Sequence, residues 1–275
     1  MATVIVPAHN EANVIQRCLD SLVNQSDLER IVVACNGCTD NTVQIVRQNY
    51  PQVVCLDLSI PSKVNALNEA EKHIASWPVF YIDADVALSD GAIGQVSKGM
   101  RDKQLLLAAP QPKIDVSRSP WIVRQFYATW LRLPYIREGV IATCSFVISE
   151  EGRKRFGKFP DVIADDGFVR SHFYAHELGN IDEASVFVSA PRTLKSLVKI
   201  KSRARLGNME LKARKLGFDK PEPQYASILP SLLFSRHCIS ASIYIFLVFL
   251  FRLRARKQFQ NLDSYQWEVD HTSRQ

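Results

Sequence analysis

The sequence predicts an α/β fold: a doubly wound, mostly parallel sheet flanked by helices, followed by an apolar helical segment. Three observations carry this. Short β-branched runs alternate with stretches whose apolar residues recur at helical spacing. The 275 residues are 47% hydrophobic and 23% charged, which suits a folded globular chain and excludes a disordered or fibrous one. Ile239–Phe251 is almost wholly apolar.

Thr3–Val6 is a continuous β-branched run, expected as a strand buried on both faces and stopped by Pro7. Asn10 offers an N-cap to a helix carrying Val14, Ile15, Cys18, Leu19 and Leu22 on one stripe. Ile31–Ala34 forms the second strand, and Thr39 or Asp40 caps the helix with Val43, Ile45 and Val46. Val53–Leu56 is the third strand, Lys63–Ile74 a helix, and Val79–Ile82 the fourth strand. Such alternation predicts right-handed βαβ units. Beyond Gly91, strands are expected at Leu105–Ala109, Val140–Ile148 and Ser185–Ser189, and helices at Trp121–Leu131 and Asp165–Tyr174. The expected organisation is a catalytic domain over 1–220, its nucleotide half 1–90 and acceptor half 91–220. A membrane-associating segment over 221–260 and a polar tail over 261–275 follow.

Chemistry concentrates where strands end. Asp83-Ala84-Asp85 closes the fourth strand, the edge at which open α/β sheets bind ligands. Two carboxylates there need a cation or donors between them, and as hard oxygen ligands they suit Mg²⁺ or Mn²⁺ shared with a diphosphate. Alone, a D-x-D is more often a solvated loop. The apolar residues on both sides, Phe80–Ile82 and Val86–Leu88, argue against that here.

Val4-Ile5-Val6-Pro7-Ala8-His9-Asn10-Glu11, Asn36-Gly37-Cys38-Thr39-Asp40-Asn41-Thr42, Lys63-Val64-Asn65-Ala66-Leu67-Asn68 and Asp83-Ala84-Asp85 occur in that order. As a set they resemble the family-2 glycosyltransferases with the GT-A fold, over roughly residues 3 to 210. The resemblance implies an inverting, metal-dependent hexosyltransferase that uses a nucleoside-diphosphate sugar. It places Pro7, Ala8, His9 and Glu11 beneath the nucleotide, and Asn36 and Asp40 toward base and ribose. Lys63 falls near the diphosphate, Asp83 on ribose or metal, and Asp85 on the metal. Cys35 and Asn36 stand where the family more often carries two acids, so base contacts would come from amides or backbone. Asp165-Asp166 resembles the family's acidic pair, whose second member is the base, which maps to Asp166. Thr143, Cys144 and Ser145 fit the small-residue strand on the acceptor side, with Asp165 beside them. Processive members carry a glutamine, an arginine and a tryptophan further on. Ser202–Leu206 matches only at Arg205, which points to transfer of a single sugar.

Other readings are less well supported. Cys35-Asn36-Gly37-Cys38 has redox spacing, yet a nucleotide-fold turn accounts for it, and the remaining cysteines are too scattered for a zinc ring. His172 and His176 lack the glutamate of an H-E-x-x-H site. A sugar nucleotidyltransferase would need a glycine-rich first loop, which Pro7–Asn10 is not. A catalytically inactive membrane-bound partner would be expected to lose the acids, which are all present.

The net charge is +6. Arg252, Arg254, Arg256 and Lys257 abut the apolar run, which fits an anionic cytoplasmic membrane face better than nucleic acid. With no charged n-region before Thr3, the chain is expected on the cytoplasmic side with reduced thiols. The apolar segment from Ile228 to Phe251, with Arg236 and His237 inside it, is expected to associate with membrane, by spanning or by entering one leaflet, with Ser231–Arg236 as another arm of a hairpin. A lipid-linked or other glycan acceptor would meet the active site there.

Overall fold

The computed structural model describes residues 1–133, 136, 139–140, 144–217, 232, 235, 237–262 and 265. Its centre is an eight-stranded sheet in the order β3-β2-β1-β4-β7-β6-β8-β5. The strands are β1 (Ala2–Ala8), β2 (Leu28–Asn36), β3 (Val54–Leu58), β4 (Val79–Ile82), β5 (Ala87–Leu88), β6 (Leu107–Asp115), β7 (Ser145–Ile148) and β8 (Leu178–Ser189). β1 to β4 run parallel, β7 is antiparallel to both neighbours, β6 and β8 are parallel, and β5 is antiparallel to β8. The sheet is therefore parallel in its first half and mixed in its second.

The helices are α1 (Ile15–Asp20), α2 (Thr42–Asn49), α3 (Lys63–Ala70), α4 (Ala92–Asp102), α5 (Trp121–Trp130), α6 (Glu150–Arg153), α7 (Asp165–Ser171), α8 (Leu194–Ala213) and α9 (Cys238–Phe259). Ile15, Leu19, Val46, Ile93 and Val96 cover one face of the sheet from α1, α2 and α4. On the other face, α3 and α7 bury Leu67, Phe168 and Val169 against Ile5, Tyr81 and Phe146. A third cluster lies among α5, α8 and α9, with Phe126, Trp130, Leu197, Tyr244 and Phe251 at its heart.

Several expectations are corrected. β1 continues through Pro7 to Ala8. Thr3 donates its N–H to Pro78, so Pro7, four residues on, turns its nitrogen toward the same side. β4 pairs with β1 only as far as Ile5, so the missing N–H breaks no ladder bond. Asn10 does not cap its own helix, which begins at Ile15 without a side-chain cap. It sits instead at φ 55° and accepts the N–H groups of Thr39 (2.7 Å) and Asp40 (3.3 Å). α3 ends at Ala70 and tightens into a 3₁₀ turn over Glu71–His73, and α7 stops at Ser171, so His172 and His176 share no helical face.

Four residues, 83–86, join β4 to β5, although β7, β6 and β8 lie between them. Five Cα steps reach about 17 Å at full extension, whereas four strand spacings in a flat sheet need about 19 Å. The sheet closes this gap by curling. β8 supplies the bend, since its pairing with β6 jumps from Pro110↔Ile181 to Gln111↔Ser185 and leaves three residues bulged. The far edge of the sheet thereby returns to the D-x-D loop.

Candidate active site

The first strand–helix turns build one wall. Asn36, buried at the end of β2, donates from Nδ2 to the Ala8 carbonyl (2.9 Å), while His9 Nδ1 meets the Asn36 carbonyl at 2.5 Å. Asp40 accepts N–H groups from Ala12 (3.1 Å) and Thr42 (3.0 Å), and the Thr42 hydroxyl accepts the Glu11 N–H at 2.8 Å. Burial pushes the Asp40 carboxyl up, but these donors outweigh it and hold it below its usual value. The expected cap at Thr39 or Asp40 is not formed, since α2 has Asn41 at its N-cap with no side-chain cap bond; Asp40, one residue earlier, instead ties the two loops together through Ala12 and Thr42. Gly37 has φ 58°, and a Cβ there would stand 2.7 Å from Pro61 Cβ, so only glycine fits this turn.

Cys38 lies in the same loop. Its thiol is drawn down to about 6 by hydrogen bonding with Cys35, against partial burial, and Cys55 falls to about 7 through the same neighbour. All six cysteines are free thiols.

The acids come together on the other side. β4 ends at Ile82, so Asp83 leaves the sheet at its carboxyl edge, its N–H held by the Cys144 carbonyl at 2.9 Å. Cys144 has φ 48°, a left-handed strain for a residue with a Cβ, and its place in the structure is fixed by that bond. Ser145 pairs with Ile82 in the ladder, which sets Cys144 and Ser145 beside the D-x-D. Thr143 lies outside the described residues. Arg17 from α1 donates to the Asp85 backbone carbonyl and orients the loop from behind.

Lys63, first residue of α3, reaches over this edge. Its Nζ lies 2.8 Å from Asp83 Oδ1 and 3.0 Å from Asp165 Oδ2. Burial works to lower the ammonium's pKa, but Asp165 and then Asp83 overcome it and hold the pKa above the ordinary lysine value. Asp165 is only 6% exposed. Burial raises its carboxyl, Lys63 opposes that, and Asp166 and Asp83 add to it; the net direction is upward. Asp166, next in the first turn of α7, is exposed, with Oδ1 accepting the Gly167 N–H at 2.7 Å. The acidic pair is thus divided between a buried, lysine-bound member and an open one.

Positioning residues appear that the motif reading left without a role. Asn68 exchanges two hydrogen bonds with the Phe159 backbone (3.0 and 2.9 Å), fastening α3 to the loop that leads to Asp165. Buried Glu210 on α8 accepts the Ile163 N–H at 2.8 Å. Gly207 lets α8 approach Ala164 so closely that a Cβ would lie 2.6 Å from the Ala164 Cβ. Asn68 stood inside a quoted motif; Glu210 and Gly207 carry no local signal.

For a divalent cation, the donor set is two aspartates on one short loop. Among the described residues no group of three or more His, Cys, Asp or Glu side chains is placed to hold a metal. Two hard carboxylates with open positions suit Mg²⁺ or Mn²⁺ completed by phosphate oxygens and water, so the residues fit such an ion.

A curled α/β sheet, parallel in its first half and mixed in its second, with a D-x-D at its central carboxyl edge, has the GT-A fold of glycosyltransferases. The chain belongs to glycosyl transferase family 2, whose sequence model matches residues 3–149. It is 32% identical over 110 residues to chondroitin synthase of Pasteurella multocida (strain Pm70), covering 38% of this chain and 11% of the synthase. It is 27% identical over 138 residues to the uncharacterized glycosyltransferase YibD of Escherichia coli (strain K12), covering 48% of this chain and 38% of that protein. The chain therefore spans a minor part of these relatives. Among solved structures, mannosyltransferase PcManGT from Pyrobaculum calidifontis, in complex with GDP-Man and Mn²⁺, superposes with a TM-score of 0.68 at 18% identity, over 96% of this chain and 88% of that one. S. aureus TarS 1-349 in complex with UDP-GlcNAc gives 0.53 at 15% identity, over 96% and 76%. At these identities the two structures establish a shared fold.

Proposed function

We propose that this chain is a metal-dependent, inverting hexosyltransferase, moving one sugar from a nucleoside diphosphate to a glycan or lipid-linked acceptor at the cytoplasmic face of a membrane. The observation that carries the reading is the convergence of Asp83 and Asp165 on Lys63, with Asp166 left exposed beside them. Likeness to a chondroitin and a hyaluronan synthase supports a place in polysaccharide or glycan synthesis. One structural relative holds GDP-Man and another UDP-GlcNAc, so the donor is assigned here only as a nucleoside-diphosphate sugar.

In this reading Asp83 and Asp85 bind Mg²⁺ or Mn²⁺, which when present neutralises charge on the diphosphate leaving group. Lys63 fixes Asp83 and Asp165 and sets the loop's geometry before donor arrives. Pro7, Ala8, His9, Glu11, Asn36 and Asp40 form the wall beneath the nucleotide. Asp166 takes the proton from the acceptor hydroxyl as its oxygen bonds to the anomeric carbon and the bond to the diphosphate oxygen breaks. Attack opposite the leaving group inverts the anomeric centre. Cys144 and Ser145 border the acceptor. Single transfer is supported by the sequence at 202–206, where only Arg205 matches the processive pattern. The membrane reading is supported by α9, the one helix among the described residues long and apolar enough to cross a bilayer, with basic residues at its end.

The test is incubation of the full chain with a panel of nucleotide sugars and Mn²⁺, following released nucleotide and the anomeric configuration of the product by NMR. Nucleoside diphosphate and an inverted product are expected, both abolished by EDTA and by Asp85→Ala. Pyrophosphate formed in a parallel incubation with nucleoside triphosphate and sugar 1-phosphate would identify a nucleotidyltransferase, a retained anomer would overturn the mechanism, and full turnover in EDTA would remove the metal.

A further inference from the structure

α9 has two different faces. Ala241, Tyr244, Leu247, Phe251 and Ala255 form a buried row along nearly its whole length, packed on α5 and α8. Tyr244 and Phe251 meet the Phe126 ring at 5.3 and 5.6 Å, and Ser240 Oγ donates to Gln125 Oε1 at 2.6 Å. The opposite row, Ile239, Ile245, Phe246, Phe249 and Leu253, is exposed, and only 28% of the helix's most apolar window is buried. Arg252, Arg256 and Lys257 are exposed at the end of that row.

Spanning is incompatible with this packing. α8, the partner along the buried row, carries Lys195, Lys199 and Arg203, which cannot follow α9 into hydrocarbon. Although the 22 residues of α9 suffice for a span by length and composition, its uninterrupted apolar stretch, 239–251, extends only about 20 Å as a helix, against the roughly 30 Å core of a bilayer. Beside α9 lies an open groove of about 450 Å³, its lining mostly apolar, formed by Leu194, Lys195, Val198 and Lys199 of α8 with Arg254 of α9. Lys195 and Lys199 over the aliphatic floor of Leu194 and Val198 match an amphiphile with an anionic head and a hydrocarbon chain, and an inorganic anion would leave the floor uncovered.

Building on the membrane reading above, we propose that α9 lies in the plane of an anionic leaflet with its exposed row in the acyl region. The α8–α9 groove then holds the phosphate end of one anionic lipid between Lys195 and Lys199. The chain is thus a monotopic protein whose lipid contact is built from a charged groove and an aromatic ridge.

Two measurements on the full chain test this. In sedimentation with phosphatidylcholine vesicles, with and without phosphatidylglycerol, binding is expected to strengthen with the anionic lipid. Phe246→Ser/Phe249→Ser is expected to lose binding, and alkaline carbonate to release the protein. In titration with short-chain phosphatidic acid below its micellar concentration, saturable binding is expected. Lys195→Gln/Lys199→Gln should weaken it roughly 30-fold, from about 1 kcal/mol per lysine. Inorganic phosphate competing as well as the lipid, or no saturable binding, overturns the groove. Resistance to carbonate overturns the in-plane helix. Failure to bind any vesicle while nucleoside diphosphate is still released from donor overturns the membrane reading and leaves the transferase reading standing.

Discussion

Lys63 Nζ stands 3.0 Å from Asp165 Oδ2, joining the first residue of α3 to the first residue of α7 across 102 positions of sequence. The same ammonium holds Asp83, so one side chain links donor loop and acidic pair. Lys63→Met removes that cation and leaves a buried carboxylate without its counter-charge. Fully buried pairs lose about 3–5 kcal/mol when broken this way; Lys63 is partly exposed, so about 2–3 kcal/mol is expected. The double variant Lys63→Met/Asp165→Asn should cost less than the sum of the two single variants in denaturant unfolding. Strict additivity would show that the two residues do not interact.

Asp166→Asn keeps the shape and the hydrogen bond from the Gly167 N–H but cannot accept a proton. Turnover should fall by roughly two to four orders of magnitude while donor affinity, measured by calorimetry, stays unchanged. Parallel loss of affinity and rate would make Asp166 a donor ligand instead.

Gly207→Ala places a methyl group 2.6 Å from Ala164 Cβ and 3.0 Å from its backbone nitrogen, one residue before Asp165. Overpacking of this kind costs about 1–3 kcal/mol. Because the strain is directed at the acidic pair, turnover should drop beyond what the fraction unfolded explains. Adding Ala164→Gly should restore part of both. Unaltered kinetics in a destabilised Gly207→Ala enzyme would mean that α8 supports the fold without setting the acids.

Lys201 sits 3.4 Å from the Trp130 ring centre, and burial lowers its pKa to about 7, with Cys144 opposing slightly. Below about pH 7 the native and unfolded chains both carry the proton, and the full cost of burying the charge is present. Between about 7 and the unfolded value near 10, the unfolded chain binds more protons, so stability rises with pH. Lys201→Met should therefore stabilise the protein by about 1–3 kcal/mol at pH 6, the cation–π contact offsetting the rest. The gain should shrink by pH 9.5, as followed by thermal unfolding. A gain independent of pH would show that Lys201 titrates normally.

The parts of this site legible in the sequence are those coded locally. Val79–Ile82 was a buried run ending at two acids, and the strand has those bounds. The D-x-D therefore fell where strand ends bind ligands. Asn10 shows the limit: a cap residue signals that N–H groups need an acceptor, but not whose, and here they belong to Thr39 and Asp40 in another loop. The split between Asp165 and Asp166 was likewise invisible, since it depends on Lys63 arriving from α3. Arg17, Glu210 and Gly207 act through contacts 68, 47 and 43 residues away, and no spacing rule announces them. The apolar C-terminal run was plain, yet its buried row emerged only from packing on α5 and α8. Ser231 and Arg236, expected in a hairpin arm, lie outside the described residues.

The curl that carries β5 to the edge beyond β8 bears on recombination. By the strand–helix alternation, which loosens near residue 90, a chimera grafting another member's acceptor half onto this donor half divides the chain there. That cut leaves Ala87 and Leu88 with the donor fragment while their ladder partners, Phe187 and Val186, depart with the other. The incoming β8 would then have to match a two-residue strand it never evolved beside, and any slip in that register would drag Asp85, two positions upstream, out of line. The workable seam falls inside the loop, after Asp85, so that β5 travels with β8 and both acids stay with β4.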